Sequence, residues 1–168
     1  MTTIDDERAD ILAMLEKHRY FLTFTVQGIT DEQAVLTPTV SELSLGGLIK
    51  HVAFTESGWV DFIEQGTSAM EADAGAWEAQ ANSLRLLPGE TLAGALEQYA
   101  QVAARTDALV ASLPDLNLSH ALPEAPWFEP GTRWSARRVF LHIVAETAQH
   151  AGHADILREA IDGQKSMG

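Results

Sequence analysis

The sequence predicts an all-α protein, a four-helix bundle. Three observations carry that expectation: four long amphipathic stretches with apolar residues at helical spacing, no stretch that reads as a convincing strand, and one long connection before the last helix. The 168 residues suit one domain, residues 1–168, with a sizeable core.

The first helix spans about residues 4–27, with Ile4, Ile11, Leu15, Leu22 and Val26 as its apolar stripe. Asp5, Asp6 and Glu7 suit the positive end of its dipole, and Gly28 ends it. His18 falls between Leu15 and Leu22, near the buried edge. Thr30 and Gln33 have capping-box spacing, so a short helical turn follows, closed by Pro38. The second long helix runs from near Ser44 to about Glu64, with Leu48, Val52, Thr55, Trp59 and Ile63 along one side. His51 stands one step from that stripe, and Glu56 points elsewhere. Gly46 and Gly47 weaken the start of this helix, a pattern that permits close approach of another backbone. Residues 66–90 are polar, with a loose helix around Ala74–Ser83 and a turn at Pro88-Gly89. The third long helix, from Thr91 to Leu113, carries Leu92, Leu96, Tyr99, Ala103, Thr106 and Val110 and reads as a structural wall. Pro114 to Arg133 is a connection of about 20 residues, long enough to suggest function. Its Trp127 and Phe128, with Trp134, would cover a cleft or plug one end of the core. The fourth helix is capped by Ser135 and stopped by Gly163, followed by a frayed tail.

Composition narrows the function. Acidic residues outnumber basic ones 24 to 11, a formal charge of −13, which disfavours nucleic acid and anionic membrane surfaces as partners. There is no cysteine, so thiolate metal sites and cysteine nucleophiles are excluded, and any thiol chemistry needs a small-molecule thiol. The acidic N-terminus lacks a signal peptide's apolar run, and no segment approaches membrane-span length; a cytoplasmic protein is expected.

The fourth helix holds the chemistry. Val139, Ile143, Glu146, His150, His153, Leu157 and Ile161 follow steps of 3 and 4 along one seam. Its ends are aliphatic and its middle is Glu-His-His, costly to bury without partners. A divalent metal would satisfy it, and so would a buried hydrogen-bond cluster. Glu146 and His150 lie one turn apart and can converge on one ion, with His142 a turn back on the same row. In a bundle, His51 of the second helix can face them. Three protein ligands with one open position is the pattern of a catalytic zinc site.

The stretch from Ser44 through His51 to Glu56 and Trp59, with the run from His142 to Asp155, resembles the DinB-like family of four-helix proteins over nearly the whole chain. Continued to Gly163, the second run is similar to the actinobacterial branch labelled mini-circle proteins. The resemblance implies an up-down-down-up bundle with a long crossover between parallel second and third helices, and a homodimer, since many members are dimers. The family's metal triad, one His on the second helix and two on the last, falls here on His51, Glu146 and His150, with Glu in place of the commoner middle His. The same His-Glu-His set occurs in the related zinc enzyme mycothiol-dependent maleylpyruvate isomerase.

That resemblance implies a metal-dependent transferase or isomerase that activates a low-molecular-weight thiol, mycothiol or a similar one, against a small electrophile. Zinc is the expected metal, and nickel, iron or manganese fit the same donors. His153 is a candidate proton shuttle or partner of a ligand, or simply a buried hydrogen-bonding group. Arg85, Arg133 and Arg137 are candidates for holding substrate carboxylates. Two alternatives stay open: a hydrolase using metal-bound hydroxide, and a non-catalytic binding or stress protein.

Overall fold

A computed structural model describes residues 6–71 and 74–166. Four long helices dominate: α1 (Asp6–Phe24), α3 (Leu45–Gln65), α5 (Leu92–Ser112) and α6 (Ala136–Asp162). Between them lie the short α2 (Asp31–Ala34), a 3-10 turn (Thr67–Met70) and α4 (Ala74–Ser83). The helix ends follow from local chemistry. The side chains of Ser44, Thr91 and Ser135 accept the amides of Gly47, Gly94 and Arg138, each satisfying a donor left over in a first turn. Thr30 and Gln33 form the expected capping box on α2. Gly163, with φ of 80°, ends α6 in the left-handed conformation. Ile4 and Asp5, read as the start of the first helix, lie outside the described residues. The tail is not frayed as far as it is described: the Ser166 amide donates to Asp155 at 2.6 Å, and Gln164 accepts from Arg158.

Two core clusters give the direction of each helix. One joins Leu22 of α1 and Val26 just beyond it with Leu48 and Val52 of α3, Leu92 and Tyr99 of α5, and Ala154 and Leu157 of α6. The other joins Ile11 and Leu15 with Phe62 and Ile63, Val110, and Val139 and Ile143. The start of α1 therefore meets the ends of α3 and α5 and the start of α6. The order is up-down-down-up, with α3 and α5 parallel. A 21-residue helix is about 30 Å long, so returning the chain to start a parallel neighbour needs a crossover of that span. Residues 66–91 supply it. The crossover lies on the start of α3, where a Cβ on Gly47 would stand 2.0 Å from the Leu84 carbonyl oxygen and one on Gly46 2.5 Å from a Leu86 methyl. The glycine pair is the seat of the crossover.

Two expectations are corrected. The long connection contains a short antiparallel ribbon, β1 (Ser119–Ala121) and β2 (Arg133–Ser135), which pairs His120 with Trp134. Three residues per strand leave too little periodicity to read from sequence. The bundle centre is also polar. The gap between Leu15 and Leu22 on the first stripe is filled by Arg19, 9 % exposed, while His18 is only half-buried. Arg19 reaches diagonally across the bundle to Glu56, 1 % exposed, at 2.5 Å, and to Asp107 at 2.7 Å. Thr106 donates to the same Glu56 oxygen at 2.6 Å. Burial pulls the Arg19 pKa down, but its contacts with Glu56 and Asp107 outweigh that and hold it above the ordinary value. So α5 is more than a structural wall, although it supplies no group to the site described next.

Candidate functional site

A cleft of about 510 Å³ opens between α3, α4, the crossover, the long connection and α6. Its inner wall carries His51, His142 and Glu146, and Trp59, Trp77, Trp127 and Phe128 line the rest. The three tryptophans come from different parts of the chain. Trp59 belongs to the core side of α3, Trp77 to the crossover helix, and Trp127 to the long connection, where it is 64 % exposed. The connection therefore does both things considered for it. Phe128 and Trp134 pack on the core, and Trp127 overhangs the cleft. Trp134 stacks on Trp59 with ring centroids 4.8 Å apart, and His142 meets both rings edge-on at 4.9 and 5.0 Å.

Helix periodicity brings the expected residues together with one correction. The fully buried row of α6 is Val139, Phe140, Ile143, Thr147, Ala151, Ala154 and Leu157. Glu146, His150 and His153 stand one step round from it and are half-buried rather than part of a sealed core, and of these Glu146 lines the cleft. Glu146 lies between two imidazoles, its oxygens 3.8 Å from His142 Nε2 and 3.6 Å from His150 Nε2. The rings of His51 and His150 meet edge-to-face at 5.0 Å, which brings α3 and α6 together at this level. His153 is one turn beyond, its Nδ1 3.5 Å from His150 Nδ1, away from the cleft lining.

The second-layer contacts decide which atoms are offered. Ser83 donates its only hydroxyl proton to the Gln80 carbonyl at 2.7 Å, so toward His51 Nδ1, 2.8 Å away, it accepts. His51 is therefore the tautomer protonated on Nδ1, with the lone pair on Nε2 available for a cation. Sequence reading missed Ser83; its place at the end of the crossover helix gives no signal without the fold. His150 turns Nδ1 to His153 and Nε2 to Glu146. Burial is the main cause holding all three imidazoles, His51, His142 and His150, below their ordinary pKa, and Glu146 opposes it in each case. For His51 the neighbouring His150 adds to the lowering. Neutral imidazoles are what a metal site requires.

Among the described residues no group of three or more His, Asp or Glu side chains is placed to hold a metal ion. Two of the three expected donors nonetheless stand at the spacing that one ion requires. Ligands of one tetrahedral zinc, each about 2.1 Å from it, stand about 3.4 Å apart, and the Glu146 and His150 donors are 3.6 Å apart. The three arginines considered for substrate carboxylates are not in the cleft. Arg85 bonds Asn82, Arg133 bonds the Ser119 carbonyl, and Arg137 pairs with Glu7 and Asn117. Arginine spacing carries no signal for which cleft a side chain will face.

A four-helix bundle in up-down-down-up order, with a His and Glu wall shared by its second and last long helices, defines a DinB-like protein. Within that superfamily the sequence model of the Mycothiol-S-transferase family matches residues 10–163, and the chain belongs to that family. No curated protein matches it. Among the described residues no helix is long and apolar enough to cross a membrane.

Proposed function

We propose that this protein is a metal-dependent thiol S-transferase that joins a mycothiol-type thiol to a small electrophile. The observation that supports the reading is that His150 approaches both His51 and Glu146, two residues that line an aromatic cleft, in a chain of the Mycothiol-S-transferase family. His51, Glu146 and His150 would hold a divalent ion, with zinc the expected one, and it would supply the Lewis acidity that keeps a thiol deprotonated at neutral pH. The residues supply the rest. Ser83 holds His51 in the tautomer that presents Nε2, and His153 orients His150 from behind. The aromatic walls exclude water and place the electrophile against the sulfur. The sulfur–carbon bond forms as the leaving group departs with its bonding pair, and the thiol proton passes to solvent or buffer through the open side of the cleft. The protein contains no cysteine to compete for the ion or the electrophile.

The test is metal content of untagged protein beside His150→Ala, followed by thiol-transfer assays and cobalt substitution. About one divalent ion per chain, lost in the variant, with new sulfur-to-metal absorption when thiol is added, is the expected result. A metal-containing protein that hydrolyses esters or amides with no thiol response would establish the hydrolase instead. A chain that takes up no divalent metal would end both enzyme readings.

A further inference from the structure

The aromatic lining of the cleft changes character from one wall to another. Trp59, on the core side, is 7 % exposed, whereas Trp77 and Trp127 are 56 % and 64 % exposed. Those two belong to neither core cluster. They come from the crossover helix and the long connection and meet edge-to-face, with ring centroids 6.2 Å apart and planes at 87°. An edge-to-face pair covers at most one of its four ring faces, so this rim presents indole faces to an occupant. Gln80 and Glu71 stand on the same lining and offer an amide and a carboxylate to hydroxyl groups.

A wholly apolar ring gains most from an indole where both leave water, which suits the Trp59 wall. At the rim an occupant stays partly in water, and an amphipathic ring is the better match. A pyranose lays its C–H face on an indole and keeps its hydroxyls for solvent and for polar side chains at the edge. The proposed thiol carries such rings: mycothiol is N-acetylcysteine joined by an amide to an aminosugar that bears an inositol. Five bonds, about 6 Å when extended, separate its sulfur from the first sugar ring. The cleft, about 510 Å³, is of the size that takes a drug-sized molecule, more than a small electrophile alone needs. We infer that Trp77 and Trp127 form a sugar subsite for the polyhydroxylated part of the thiol, which leaves the inner aromatic wall to the electrophile. The inference rests on the thiol entering this cleft in the proposed transferase.

The experiment titrates two unreactive thioethers calorimetrically into the purified protein. One is S-methylmycothiol; the other is the N-methylamide of S-methyl-N-acetylcysteine, which ends where the first sugar begins. The sugar-bearing thioether is expected to bind at least about tenfold more tightly. Trp127→Ala, at an exposed ring outside both cores, removes most of that advantage, and Trp127→Phe, which keeps an aromatic face, retains more of it. Equal affinity for the two thioethers, no binding of either, or an advantage that survives Trp127→Ala overturns the inference. Survival of the advantage with weakened binding of para-nitrobenzyl alcohol would assign the rim to the electrophile instead. Neither thioether can transfer its sulfur, so the titration is blind to catalysis. Binding through Trp127 without turnover of mycothiol and para-nitrobenzyl chloride fails the proposed function and keeps the subsite; turnover with no sugar advantage does the reverse.

Discussion

Replacing Glu56 by Ala removes one member of a pair that crosses the bundle diagonally. Arg19 keeps its charge and its 9 % exposure but loses its 2.5 Å contact, and Thr106 keeps only the Val102 carbonyl, 3.0 Å away, as acceptor. Breaking a buried ion pair by removing one partner costs about 3–5 kcal/mol. Asp107 still holds Arg19 at 2.7 Å and is half-exposed, which places the cost near the lower limit, at about 3 kcal/mol. For a chain of this size that corresponds to a fall in Tm of about 6–12 °C. The pair is not itself a large source of stability. Among the described residues Arg19 Nε and Glu56 Oε2 have no hydrogen-bond partner, and each such buried atom costs about 1–3 kcal/mol. Replacing both members by apolar residues, Arg19→Met with Glu56→Leu, therefore restores stability to within about 1 kcal/mol of the natural chain. Reversible urea unfolding of Arg19→Met alone, Glu56→Leu alone and the double variant, beside Glu56→Ala, measures these terms. A single variant that loses less than about 1 kcal/mol, or a double variant less stable than either single, would refute the account, because the interaction would then lack the coupling expected of a buried pair.

Three further outcomes follow from geometry. Gly47→Ala places a Cβ 2.0 Å from the Leu84 carbonyl, so the crossover must shift, and a loss of about 3 kcal/mol is expected in urea unfolding; Gly152→Ala, with nothing within 4 Å, is expected to stabilise by about 0.5–1 kcal/mol. Ser83→Ala frees His51 to change tautomer and is expected to weaken metal binding by about 10–100-fold in a chelator competition, with the far-UV spectrum unchanged. Equal affinity in that variant would show that Ser83 does not set the tautomer. Trp134→Ala removes the partner stacked on Trp59 and the ring beside His142, and is expected to cost about 3–5 kcal/mol in thermal or urea unfolding.

How much was legible depends on the range of the signal. Boundaries set by neighbouring residues were readable. Ser44, Ser135 and Gly163 bracket their helices as expected because a cap bonds within its own turn. The Gly46-Gly47 pair announced a close backbone approach, although not that Leu84 and Leu86 would make it. The adjacency of Glu146 and His150 was likewise a property of one helix. Arg19 escaped notice because a charged residue on an apolar stripe reads as a boundary position, and its partner Glu56 is 37 residues away on another helix.

By itself the sequence determined four amphipathic helices, their caps, and a Glu-His pair on one helical row, since all of these depend on residues a few positions apart. Tertiary structure alone decided that His51 faces that row, that Ser83 fixes its tautomer, that His142 and Glu146 line an open cleft, and that no arginine is on its lining. Those relations join residues far apart in the chain, and one step of rotation about a helix axis, about 100°, is enough to move a side chain from core to cleft. Local spacing leaves that rotation open, and the packing of four helices around a shared core settles it.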